Sequence, residues 1–310
     1  MIRKNKTIGN LDETKDLNLV LAAIVIFSII AVVFLSPGAA AHIELPEIIE
    51  QKAGNWDEIK VSDGFILINN MWSTVTDTEQ KIILYEDGSY GWEWERGGSG
   101  LSEPNGEGPN YPEVLLGVKP WGTHDFTEGV LPLKLKDIES LVMEMDVVYE
   151  IFEDSEGAGN WNLSFEMWLT MDKPGTDVSG SITDEIMIWF DWQEGLWDWD
   201  DPVDAKAVDD GYHLYEYNVS REGWGGQGYF DDSWHYSQFR IVDQGTIPKK
   251  VDLKPFLDYI QKELDRTDEV WLGALELGME YEAGTAGMTR IVDLNYEING
   301  QRLESGVNRR

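Results

Sequence analysis

The run T-D-E-I-M-I-W-F at 183–190 sets one carboxylate inside an alternating apolar pattern. In a strand, successive side chains point to opposite faces. Glu185, Met187 and Trp189 therefore share one face, and Ile186, Ile188 and Phe190 share the other. A second run, L-E-L-G-M-E-Y-E at 275–282, reads the same way, with Glu276, Gly278 and Glu280 opposite Leu275, Leu277 and Met279. With the aliphatic faces in a core, two glutamates project onto the other face of a sheet.

The same two-residue period spreads outward from these runs. Phe65 to Ile68 begins one strand. Ile82 to Tyr85, Asp87-Gly88 and Tyr90 to Trp94 read as a hairpin. Met143, Met145, Val147, Tyr149 and Ile151 alternate with acidic residues. Asp210-Gly211 turns into Tyr212 to Tyr217. Val292, Leu294, Tyr296 and Ile298 alternate with Asp293, Asn295 and Glu297 before a turn at Asn299-Gly300. Many short strands between turns predict an all-β fold: a two-sheet β-sandwich or jelly roll with a concave cleft.

One short helix interrupts the pattern. Asp252 can cap a segment beginning near Leu253-Lys254-Pro255, with Phe256, Leu257, Ile260 and Leu264 at helical spacing. Arg96 to Asn110 and Trp197 to Asp210 read as loops. The second is dense in aspartate and could attract Ca²⁺, but it lacks the EF-hand glycine and terminal glutamate, so it is taken as a solvated acidic loop. No repeat or linker divides the chain after residue 44, and residues 42–310 are read as one domain.

Composition limits the function. The chain has 310 residues, ample for a large core. It has no cysteine and only four histidines, His42, His124, His213 and His235, with no metal-ligand spacing, so no metal site or cofactor is expected. A net charge of −34 argues against nucleic acid as a partner. Acidity of this size fits solubility or exposure to high salt.

At the N-terminus, Arg3, Lys4 and Lys6 precede an apolar run from Leu19 to Leu35, followed by Ser36-Pro37-Gly38 and Ala39-Ala40-Ala41. Residues 1–41 are expected to be a cleaved signal peptide, or else a membrane anchor that tethers the protein through residues 19–35. Either reading places the remainder outside the cell, secreted or on the surface. A monomer is expected.

The carboxylates and the 14 Trp residues together point to carbohydrate chemistry. Sugar rings present C–H faces that stack on aromatics. Trp56, Trp72, Trp121, Trp161, Trp197, Trp199, Trp224 and Trp234 lie in polar or glycine-rich contexts, where a core role is the competing reading. A pair of carboxylates on a walled sheet is what cleavage of a glycosidic bond requires.

Five segments carry a family resemblance: N-N-M-W-S at 69–73, Y-P-E-V-L-L-G-V-K-P-W at 111–121, F-E-M-W-L-T at 165–170, D-E-I-M-I-W at 184–189 and L-G-M-E-Y at 277–281. In this order they resemble glycoside hydrolase family 12, the jelly-roll endoglucanases, in an archaeal-type form. The likeness spans roughly 50–300, and the helix sits where that family places its single helix. Met279 departs from the usual Thr before the acid/base glutamate. Val118 stands where related archaeal members tend to have Asn, and the loops near 197–210 and 223–228 look longer than usual. These bear on the shape of the cleft.

The resemblance implies a retaining endo-β-1,4-glucanase, a cellulase acting on β-glucan polysaccharide. Glu185 would be the nucleophile, Glu280 the general acid/base, and Glu166 an auxiliary acid beside Glu185. Asn70 and Trp72 would bind sugar, Met187 would line the floor, and Trp121 and Trp56 are further substrate-binding candidates. Xyloglucan, mixed-linkage β-glucan and xylan are the alternative substrates. A non-catalytic carbohydrate-binding module is a remoter alternative, since it would not need two glutamates in these motifs.

Overall fold

The computed structural model describes residues 45–71, 78–97, 109–122, 130–152, 159–193 and 202–306. Residues 1–41, Trp72, Trp197 and Trp199 lie outside these, as does most of the Arg96–Asn110 stretch.

In chain order the first strands are β1 (Ile48–Lys52), β2 (Glu58–Ser62), β3 (Phe65–Ile68), β4 (Thr78–Tyr85), β5 (Tyr90–Arg96) and β6 (Glu113–Gly117). Then come β7 (Leu133–Lys134), β8 (Leu141–Ile151), β9 (Trp161–Thr170), β10 (Ile182–Trp192), β11 (Asp204–Asp209) and β12 (Leu214–Trp224). The last are β13 (Trp234–Ile241), β14 (Lys250–Asp252), β15 (Trp271–Tyr281), β16 (Thr285–Ile298) and β17 (Gln301–Glu304). Among the described residues, one α-helix, α1 (Lys254–Glu263), accompanies them.

These form two sheets. One runs β1-β4-β5-β16-β8-β14, with β17 on β16; the other runs β11-β12-β13-β10-β9-β15-β6-β3-β2, with β7 on β15. Neighbours are antiparallel except β10 and β13, which run parallel. The architecture is the expected jelly-roll sandwich.

The core lies between the sheets, where the aliphatic parity predicted it. Ile186, Ile188 and Phe190 of β10 join Leu275, Leu277 and Met279 of β15 in one cluster with Met143, Met145, Leu294 and Tyr296 of the facing sheet. Tyr296 meets Phe65 at 5.9 Å and Phe165 at 6.2 Å across the gap. Each such buried side chain contributes roughly 1.5–3 kcal/mol.

Turn chemistry sets the hairpin registers. Asp87 Oδ1 accepts from the Ser89 amide at 3.0 Å in the β4–β5 turn. Asn299 and Gly300 both take positive φ, 51° and 78°, in the two-residue β16–β17 turn. Asp252 Oδ1 accepts from the Lys254 amide at 3.0 Å at the start of α1, whose Phe256 meets Tyr215 at 4.8 Å.

Two expectations need correction. Val292 does not follow Leu294, Tyr296 and Ile298 inward: the β16–β8 register shifts between Ile291 and Asp293, leaving Ile291 buried and Val292 exposed. One extra residue at a bulge inverts the parity. The acidic stretch is also not loop throughout, because Asp204–Asp209 forms β11 at the sheet edge, with Val208 buried against the core. Among its carboxylates, Asp209 and Asp210 accept amides of the following turn.

Candidate active site

The face of the larger sheet turned away from the core carries a row of polar and aromatic side chains. Strand β9 runs through its middle and presents Asn162, Ser164, Glu166 and Trp168. The register sets Met187 and Glu276 on either side of Glu166. Glu185 stands opposite Trp168 on β10, and Glu280 stands opposite Asn162 on β15. The two glutamates thus belong to opposite ends of the β9 row. They nevertheless lie within electrostatic reach of one another, since the Glu280 charge pushes the Glu185 carboxyl upward.

Glu185 is buried and doubly held. Trp234 Nε1 donates to its Oε2 at 2.6 Å, and Glu166 hydrogen-bonds it as well. Burial pushes its pKa up to about 7; the two hydrogen bonds oppose that rise, while the charges of Glu280 and Glu276 add to it. Glu166 is pushed well above the usual range by burial and then by the Glu185 charge, so it keeps the shared proton. Glu280 is partly exposed, and its Oε2 accepts from Asn162 Nδ2 at 2.6 Å. Burial pushes its pKa up to about 7, against the Asn162 bond.

Beneath Glu166 lies an ion cluster. Glu113, Glu166 and Glu276 bring carboxylate oxygens within 4.8 Å of one another. Lys119 Nζ stands 2.8 Å from Glu113 Oε1 and 2.9 Å from Glu276 Oε2. Three carboxylates so placed would suit a cation, and the ammonium of Lys119 supplies one. Burial would by itself lower the Lys119 pKa, but the charges of Glu113, Glu276 and Glu166 outweigh it and hold the proton on. Burial also raises Glu113 and Glu276.

Tyr111 closes the floor above Gly278, where a Cβ would collide with its ring. Trp121 meets Trp168 edge-on at 5.0 Å, and Trp168 meets Trp234 at 5.6 Å. Three indoles therefore lead along the face to Glu185.

The sequence over residues 64–299 matches the family described as Glycosyl hydrolase family 12. The chain belongs to that family. Its fold is similar to the native family 12 xyloglucanase from Bacillus licheniformis, with a TM-score of 0.66 at 19% identity over 81% of this chain and 100% of that one. It is also similar to an endoglucanase from Rhodothermus marinus, with a TM-score of 0.61 at 22% identity over 82% of this chain and 100% of that one. Endoglucanase 3 from Trichoderma harzianum aligns with a TM-score of 0.58 at 14% identity, over 82% and 98% of the two chains. No curated protein sequence matches the chain.

Within this family 12 glycoside hydrolase, the structure gathers Glu166, Glu185, Met187 and Glu280 on one face, as their parity predicted. Met187 is buried there, and its Sδ accepts from Tyr236 OH at 3.3 Å. Trp121 and Trp56 are exposed at 37% and 49%, open to a stacking partner. Asn70 is buried and spends its Nδ2 on Glu113 Oε1 at 3.1 Å, while its Oδ1 accepts no protein hydrogen bond. Glu282 accepts from Asn160 at 2.8 Å.

Sequence reading missed Glu113, Lys119, Asn162 and Tyr236. A signal existed for the first. In E-V-L-L-G at 113–117, Glu113 and Leu115 oppose the core residues Val114 and Leu116. Nothing local marked Lys119 as the cation of a buried cluster.

Proposed function

We propose that this family 12 glycoside hydrolase is an extracellular endo-β-1,4-glucanase that cleaves cellulose-type β-glucan with retention. One observation carries the reading: the buried Glu185 and the partly exposed Glu280 stand on one face of the larger sheet, each raised toward 7, in unlike hydrogen-bonding surroundings. Glu185 has two donors aimed at it, which favours a carboxylate. Glu280 has one and is partly open to solvent.

In the first step Glu185 attacks the anomeric carbon while Glu280 gives its proton to the departing glycosidic oxygen. A covalent glycosyl–enzyme ester forms and the C–O bond to the leaving sugar breaks. In the second step Glu280, now ionised, takes a proton from water, and the water oxygen displaces Glu185. Two inversions give net retention. Glu166 keeps its proton and hydrogen-bonds Glu185 rather than reacting. The exposed Trp121 and Trp56 offer stacking surfaces to a sugar.

A substrate panel tests this on protein beginning near residue 42. Hydrolysis of carboxymethylcellulose, with the product anomer followed by NMR, should exceed hydrolysis of xyloglucan, barley glucan and xylan. Preference for another glucan would keep the chemistry and move the specificity. An inverted first-formed anomer would reject the double displacement. Amino-terminal sequencing of protein from its native host, beginning near His42, would support export.

A further inference from the structure

The glycine-rich stretch before β13 has no sugar-facing role in the mechanism above, yet it is tied to Glu185 from several sides. Trp224 ends β12 and pairs with Trp234 at the start of β13. Between them the chain folds back over the Trp234 ring. Gly225 has φ of 69°, and a Cβ there would collide with the six-membered ring of the Trp234 indole. Trp168 meets the same ring at 74°.

The loop is anchored to the strand that carries Glu185. The Tyr229 amide donates to the Ile182 carbonyl at 2.8 Å. Arg266 lies over the Phe230 ring at 4.6 Å, and its Nε donates to both oxygens of Asp184 at 3.1 and 3.0 Å. The residue beside Glu185 and the start of its strand thus both hold the loop that covers Trp234.

We propose that Trp234 is a positioning residue for Glu185: its indole N–H, clamped by the Gly225 loop, occupies Oε2 so that Oε1 is the oxygen that attacks. This rests on Glu185 being the nucleophile. The groups that face Glu185 are Glu166 from β9, Glu276 and Glu280 from β15 and Tyr236 from β13, with Glu113 and Lys119 behind Glu166. Among the described residues, Trp234 and Glu166 are its side-chain donors. The Glu166 bond exists only while that carboxyl holds its proton. An indole N–H does not ionise in water, so the Trp234 bond persists through every protonation state and through both chemical steps. In the glycosyl–enzyme ester the same N–H would face the carbonyl oxygen.

The test uses the whole chain and two readouts. In ¹H–¹⁵N spectra, the indole resonance assigned by its loss in Trp234→Phe should move with pH in the wild type, and the movement should vanish in Glu185→Gln. In kinetics on an aryl β-cellobioside, Trp234→Phe should lower kcat/KM by about ten- to hundredfold, the loss of one hydrogen bond to a charged group. It should also move the acidic limb of the profile to higher pH, because the lost donor favoured the ionised carboxylate. Gly225→Ala, which keeps the indole but displaces it, should shift that limb in the same direction. An indole resonance indifferent to Glu185→Gln would overturn the proposal. So would a Trp234→Phe enzyme that is less stable but has an unmoved acidic limb. Absence of wild-type hydrolysis on every β-glucan would instead overturn the functional reading, and the spectra would still decide on the hydrogen bond.

Discussion

Lys119 Nζ stands 2.9 Å from Glu276 Oε2 in a place where both side chains are buried. The same ammonium holds Glu113, so one cation answers for a group of buried carboxyls. Lys119→Met should destabilise the protein by about 3–5 kcal/mol at neutral pH, the usual result of leaving a buried charge without its partner. Urea denaturation measures this. The loss should be smaller at mildly acidic pH than at neutral pH, because Glu113 and Glu276, both raised by burial, take up protons more readily than ordinary glutamates and then no longer need the cation. An equal loss at both pH values would contradict this account.

The proposed reaction needs Glu185 ionised and Glu280 protonated, and both are pushed up to about 7. Two interacting groups titrate in two macroscopic steps, one below and one above their common value. The profile of kcat/KM should therefore be a bell with its maximum near neutral pH. Glu280→Gln, assayed on an aryl glycoside with a good leaving group, should lose the basic limb and keep the acidic one. A basic limb that survives this change would assign it to another group.

Stability should fall as pH rises through the same window. Glu185 and Glu280 have folded values near 7 against an ordinary 4.5, so the folded state binds their protons more tightly. Their proton-linked stabilisation is complete below about 4.5 and is lost as pH climbs through 7. The exposed Glu269 behaves in the opposite sense: Lys134 and Lys136 hold it down to about 2, so its contribution is present above about 4.5 and is lost as pH falls toward 2. Thermal unfolding of the wild type at pH 5 and pH 8 should show the fall, and the Glu185→Gln/Glu280→Gln protein should show a smaller one.

Replacing Glu185 by Ala should reduce hydrolysis by several orders of magnitude. Azide, which fits where the carboxylate stood, should restore turnover and give a product of inverted configuration. Glu280→Ala should abolish cleavage of cellulosic substrates but spare the first step on aryl glycosides. In a structure with bound substrate, the two carboxyls should stand about 5–5.5 Å apart. A separation near 9 Å would reject retention even with both glutamates essential.

With a net charge of −34, the surface repels itself at low ionic strength. Adding salt from low to about 0.5 M should raise the unfolding temperature, because charges beyond about 10 Å are screened already at 0.1 M. A flat response would leave the acidity without a role in stability.

Strand parity was written plainly in the chain. Ile186, Ile188 and Phe190 went to the core and Glu185, Met187 and Trp189 to the open face, because a two-residue period is a property of the extended backbone itself. The turn at Asn299-Gly300 and the Asp252 carboxylate that accepts the Lys254 amide were equally local. That Glu166, Glu185 and Glu280 share a face followed from parity. What parity could not give is which residues meet across strands. Glu185 pairs directly with Trp168 yet hydrogen-bonds Glu166, a diagonal relation created by register and twist. Lys119 reaches Glu276 from a distant part of the chain, and Trp234 reaches Glu185 from a strand that runs parallel to it. The bulge that turned Val292 outward and the pairing that made a strand of Asp204–Asp209 also depend on neighbours remote in sequence. The sequence by itself therefore determined the faces and the candidate carboxylates. Only the tertiary structure decided their partners and protonation, since burial and the charges set around each group come from strands that meet only when the sheet closes.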